Sequence, residues 1–169
     1  MIKVVSAGIS ENGTVNGQKG DQTKREVRVR PRYNFGQDTI IRFKYSKRKK
    51  ASSIAIKLAN NDRIGYGQSN RTTLWDECVK IGWDAKKIHT IDYCNCDCSM
   101  LIICIINLTF GKKIIGIGYT GTLEKQCRKH KDKFTILKMP YLEQSNLLKL
   151  ADIELKAYKH VTIICERRL

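Results

Sequence analysis

Residues 94–110, CNCDCSMLIICIINLTF, set three alternate cysteines against an almost wholly apolar run. Cys98 is the one with chemistry to offer. Asp97, Cys98 and Ser99 close a polar loop and open a helical pattern. A thiol at a helix N-terminus feels the positive end of the helix dipole, which lowers its pKa from about 8.5. A thiol nucleophile also needs a base to take its proton. His89 and His130 lie in polar, lysine-containing stretches, whereas His160 opens the apolar run HVTIIC, a strand pattern. A helix-borne Cys98 beside a strand-borne His160 would make a cysteine–histidine pair able to attack an acyl carbon. The same two residues also fit a plainer description, a buried structural cysteine and an ordinary strand-opening histidine. Residue types alone leave both open.

Cys94 and Cys96 raise other chemistries. Zinc sites pair cysteines across two to four intervening residues and add a second pair. Here one residue intervenes and no second Cys or His pair follows at a knuckle spacing, so no metal is expected. A disulfide between residues two apart is strained. A membrane anchor needs about twenty apolar residues, and the run from Met100 to Phe110 is shorter and holds Asn107 and Thr109. The membrane reading fails.

The elements that must position Cys98 and His160 follow from periodicity. SENGTVNGQKGDQT reads as loop and turns, and EVRVRPRY alternates as a half-exposed strand with Pro31 at an edge or end. DTIIRFKY is a second strand. Ala51, Ile54, Ala55 and Leu58 make one apolar helix face beneath a lysine-rich outer one. NNDRIGYGQSN breaks that helix. RTTLWDECVKIGW resumes helical spacing, with Thr72 or Thr73 as cap and Gly82 as stop. DAKKIHTIDYCNCD reads as a loop, and Ser99 to Gly111 as a buried helix. GYTGTLEKQCRKHKDK is a turn and a short basic helix, and FTILK, ADIELK and HVTIIC are strands. Helices first and strands last describe one α+β domain. Its parts are a loop-and-strand element over 1–45, a helical part with Cys98 over 46–111, and a sheet part with His160 over 112–169.

Thirty-two Lys and Arg stand against 16 Asp and Glu, a net charge of +16 spread along the chain. Such an excess selects polyanionic partners: nucleic acid, an anionic membrane surface, or a cell wall carrying phosphate and carboxylate. Arg and aromatic residues interleave in REVRVRPRYNF, which keeps a nucleic-acid-binding module as the rival function. Seven cysteines cannot all pair internally, and the first ten residues lack a signal-peptide pattern. Synthesis in a reducing cytoplasm is expected.

Four segments in order carry a family resemblance. They are the ENG…GDQT…EV…Y element over 11–33, IGYGQSNRTTL over 64–74, DCS over 97–99, and LKLADIELKAYKHVTI over 148–163. Together they resemble the NlpC/P60 cysteine peptidases of bacterial cell walls, and more closely a phage and prophage branch of endolysin-like peptidoglycan hydrolases. The resemblance implies a papain-like α+β fold, with the catalytic Cys at the N-terminus of a buried helix packed on a small antiparallel sheet. It implies that Cys98 attacks an amide of the wall peptide, that His160 moves the protons, and that no cofactor is needed. The Cys98 N–H would hold the oxyanion, with Tyr66 as second donor or, equally, as a turn tyrosine packed on the core. Gln68, Asp97 and Ser99 would lie on the substrate side. A further group should orient His160. Glu166 is six residues along the same strand, roughly 20 Å away, so Asp21, Gln22 or a backbone carbonyl is expected instead. The implied partners are peptidoglycan and its anionic polymers, reached from a phage or prophage host cytoplasm. A relative of the same fold without activity, acting as a phage structural protein, is a third possibility. This chain departs from the family pattern at Lys24 and Ala151, where glycine is usual, at Met100 and Leu101, and in having Cys94 and Cys96. Ala151 in place of a turn glycine suggests a changed backbone there.

Overall fold

The first residues after Met1, IKVVSA, form a strand, β1 (Ile2–Ala7), with Val4, Val5, Ser6 and Ala7 buried. Sequence periodicity found only a short apolar run here; the structure puts it inside the main sheet. The computed structural model describes residues 1–138 and 145–168. After β1 come β2 (Val27–Pro31), β3 (Thr39–Phe43), α1 (Tyr45–Ala59), β4 (Ile64–Tyr66) and α2 (Thr73–Lys80). A 3-10 turn (Ala85–Thr90) leads to β5 (Cys94–Cys96), α3 (Cys98–Phe110) and α4 (Thr120–Arg128). Strands β6 (Phe134–Lys138), β7 (Ile153–Lys156) and β8 (His160–Arg167) complete the order.

Six strands make one antiparallel sheet in the order β2-β1-β8-β7-β3-β6. The fold is α+β, as expected, but the helices-first, strands-last order is corrected: three of the six strands precede the first helix. Residues read as loop also hold a second, two-stranded parallel sheet, β4 beside β5. Short strands flanked by Gly, Asn and Asp give no periodic signal; their pairing partner defines them.

Helix α3 is the centre of the core. Every residue from Ser99 to Thr109 is buried, as befits a helix apolar on all sides. Its two polar interior residues are satisfied. Asn107 accepts the Ile114 and Ile115 N–H groups at 2.8 and 3.1 Å and donates to the Ile115 carbonyl at 3.0 Å, and Thr109 donates to the Ile105 carbonyl at 2.7 Å. Gly111 at φ 68° ends the helix, with the Lys112 N–H reaching back to the Asn107 carbonyl. Helix α1 buries Ala51, Ile54, Ala55 and Leu58, the face its spacing predicts. Thr72 does not cap α2 through its side chain; the Thr73 hydroxyl instead bonds the Asn70 and Asn95 carbonyls and receives the Asn95 N–H.

The sheet face away from α3 carries buried charge. Arg32 grips Glu154 through Nε and Nη2 at 2.6–3.1 Å, and Arg42 grips Asp152 at 2.7 and 2.8 Å. Both carboxylates are fully buried, so each needs its bidentate partner. Ala151, next to Asp152, sits at φ 62°. The backbone expected to change there keeps the left-handed conformation that a glycine would adopt without strain.

Candidate active site

Cys98 begins α3, and Asp97 sets that start. The Asp97 Oδ1 accepts the Met100 N–H and the Ser99 hydroxyl, both at 2.8 Å, the usual N-cap arrangement. Its Oδ2 faces Arg71 Nη1 at 3.3 Å, and the same guanidinium nitrogen donates to the Gly118 carbonyl at 2.7 Å. Asp97 and Ser99, expected on the substrate side, are thus engaged in shaping the helix start. Arg71 ties that start to the loop before α4. Sequence reasoning quoted Arg71 within RTTL without giving it a role.

Cys98 is the one free cysteine that is not buried. The backbone N–H groups of Val161, Ser99 and Cys98 itself favour its thiolate. Val161 follows His160, so the structure brings the start of α3 to the start of β8. The His160 Nε2 lies 2.6 Å from the Tyr33 hydroxyl. Phe35 meets the imidazole edge-on at 4.9 Å between ring centroids, and the Arg30 guanidinium lies 4.1 Å from the centre of the Tyr33 ring.

The electrostatics differ from the dipole expectation. Burial, then the Asp97 charge, pushes the Cys98 thiol up to about 11, against the opposing pull of the three backbone N–H groups. Burial, then Arg30, pushes His160 down to about 4. At neutral pH the free protein therefore holds a neutral thiol and a neutral imidazole. Desolvation outweighs the helix terminus.

Tyr66 is buried, and the charges of Cys98 and Asp97 act on its phenol, which burial above all pushes upward, so the hydroxyl stays a donor. Gln68 is exposed and donates to that hydroxyl at 3.1 Å. The structure does not bring Asp21 or Gln22 to His160. The Asp21 carboxylate accepts the N–H groups of Thr23, Arg25, Glu26 and Val27 in its own loop. The Gln22 amide bonds the Lys19 and Gly20 carbonyls. His89 is exposed, on the rim of a cavity between α1 and the 3-10 turn that Cys98 does not line. His130 follows α4. Glu166 pairs with Lys3 at 2.8 Å. Cys94 and Cys96 are core side chains of β5, fully buried.

The sheet, the buried helix headed by Cys98 and the strand opened by His160 define an α+β protein with a candidate site where that helix start meets β8. Over residues 4–168 the chain matches the model of the endolysin-like domain family, ELLD, and it belongs to that family. Membership points to lytic action on the bacterial cell wall, with peptidoglycan as the substrate. Comparison with curated proteins and with solved structures gives no match. Among the described residues no helix is long and apolar enough to cross a membrane.

Proposed function

We propose that this endolysin-like protein is a cysteine amidohydrolase or endopeptidase of the NlpC/P60, papain-like type, cleaving an amide bond in the peptide of peptidoglycan. What supports this reading is the influence of the Val161 N–H on the Cys98 thiol, which puts the start of α3 beside the residue that follows His160. Because thiol and imidazole are both neutral at rest, His160 works as a general base in the attack itself. The sulfur–carbon bond forms while the thiol proton passes to the imidazole. The oxyanion is held by the Cys98 N–H and the Tyr66 hydroxyl. Collapse breaks the carbon–nitrogen bond, and the imidazolium proton leaves with the amine. Water then attacks the thioester and gives one proton to His160; the carbon–sulfur bond breaks, that proton returns to the thiolate, and the acid product sheds its own proton to solvent as it leaves as carboxylate.

Gel assays on embedded cell walls test this with single alanine variants, each checked by circular dichroism. Cys98→Ala should abolish clearing, and His160→Ala should cost at least the ~10²–10⁴-fold of a lost acid–base group. His89→Ala and His130→Ala should clear normally. A folded, fully active Cys98→Ala or His160→Ala would remove the mechanism. What weighs against the rival nucleic-acid reading is that half-buried Tyr33 and Phe35 of REVRVRPRYNF pack on His160 and that Arg32 is paired with Glu154.

A further inference from the structure

A base that takes a thiol proton must present a bare ring nitrogen to it, and in a neutral imidazole only one nitrogen is bare. With Nε2 at 2.6 Å from the Tyr33 hydroxyl, Nδ1 is the ring nitrogen outside that contact. That short contact can run either way. If Tyr33 donated its hydrogen to Nε2, the ring hydrogen would sit on Nδ1 and block the base. If Nε2–H donates to the phenol oxygen, Nδ1 is free, and the phenol hydrogen needs an acceptor elsewhere. Ser6 of β1, a buried hydroxyl that acts on the Tyr33 phenol, is placed to supply one.

Resting on the cysteine–histidine reading above, we propose that Tyr33 is the positioning residue of His160. Its phenol oxygen accepts the Nε2–H, its own hydrogen goes to Ser6, and the Nδ1 lone pair is kept toward the Cys98 thiol. The third member of the site is a neutral phenol from the loop after β2, where a carboxylate or amide would otherwise serve. The surroundings agree. Arg30 and Arg28 of β2 and Cys98 of α3 act on this cluster, and Lys156 lies opposite His160 in register on β7, paired with Asp38 at 2.6 Å. Lys159 precedes His160 in its own turn. No carboxylate among the described residues is hydrogen-bonded to the ring, so the partner that holds the imidazole is the neutral phenol. Phe35, edge-on to the ring, restricts its rotation.

The test is nitrogen NMR of the full chain labelled at histidine, with the His160 signals assigned by their loss in His160→Gln. Expected in the native protein is a hydrogen on Nε2 and a bare Nδ1. Tyr33→Phe should mix the two tautomers and lower kcat on soluble wall fragments about tenfold to a hundredfold, the range of a strong hydrogen bond, with little change in KM. Ser6→Ala should move both readouts the same way by less. A native protein with hydrogen on Nδ1 overturns the inference, as does a folded Tyr33→Phe with unchanged tautomer and kcat. Should Tyr33→Phe not fold, the native tautomer and Ser6→Ala decide. The two proposals separate: an Nε2–H that depends on Tyr33 without any wall cleavage keeps this bond and removes the hydrolase. Cleavage that needs Cys98, together with hydrogen on Nδ1, does the reverse.

Discussion

Lys24 and Ala151 occupy left-handed backbone, at φ 59° and 62°. These are the two positions at which the sequence resemblance leads one to expect glycine, and the backbone there has the conformation that glycine favours. A left-handed non-glycine residue costs roughly 1–2 kcal/mol, while glycine adds unfolded-chain entropy of about 0.4–1 kcal/mol. At exposed Lys24, whose contact with Asp62 is a loose surface pair, Lys24→Gly should raise stability by up to about 1 kcal/mol. Ala151 is fully buried, and losing its methyl forfeits about 0.8 kcal/mol, so Ala151→Gly should be close to neutral. Urea midpoints measure both; a destabilised Lys24→Gly would contradict the strain. The His160 shift gives a second residue-scale prediction. A base that is protonated only near pH 4 stays active in mild acid, so the acid limb of kcat/KM should lie near 4 rather than 6.5. Arg30→Gln removes the neighbouring cation, favours the imidazolium, and should move that limb upward. Since the folded value is depressed, the unfolded chain binds the proton more readily between 6.5 and 4, and this contribution to stability is lost as pH falls through that window. An acid limb near 6.5 in the native protein would show that His160 is not desolvated as described.

At the scale of elements, the short strand β5 works through Asn95, the residue between its two cysteines. Asn95, fully buried between Cys94 and Cys96, accepts the Gly20 N–H at 3.1 Å. Its amide donates to the Gln18 carbonyl at 2.9 Å and to Asn70 Oδ1 at 3.2 Å. It thereby joins the N-terminal loop, the loop before α2 and the strand leading to Cys98. Asn95→Ala leaves these groups buried and unpaired, which costs about 1–3 kcal/mol. Gly65 of β4 packs so closely on Gly20 that an added Cβ would overlap the Gly20 carbonyl. Gly65→Ala should therefore cost about 1–3 kcal/mol through a backbone shift that no rotamer relieves. Chemical denaturation checks the two variants, and hydrogen exchange should show faster opening of residues 17–22 in each. A wild-type midpoint for either would mean that this junction adds nothing to the fold.

For the whole molecule, the +16 charge makes adsorption to an anionic wall the expected first step. Exposed charges are screened beyond about 8 Å at physiological ionic strength, so co-sedimentation with purified walls should weaken as salt rises. It should weaken again on walls stripped of their anionic polymers. Cys98→Ala should bind as the native chain does, because adsorption and cleavage draw on different groups. Binding indifferent to both salt and stripping would mean that the charge has another partner.

Local pattern carried the elements that are locally encoded. The apolar run after Asp97, closed by Gly111, specifies a buried helix with Cys98 at its head, and HVTIIC specifies a strand opened by His160. Spacing on α1 predicts the face that is buried. These follow because helix period, caps and stops act over a few residues. The place of β1 inside the sheet, the β4–β5 pair and the partner of His160 follow from long-range pairing, which no local period records. Tyr33 and His160 lie 127 residues apart, and Arg71 reaches Asp97 from the loop before α2. The charge state was decided at the same level. A helix terminus argues for a lowered thiol pKa from sequence alone, but desolvation depends on what packs over the thiol, and only the assembled core determines that.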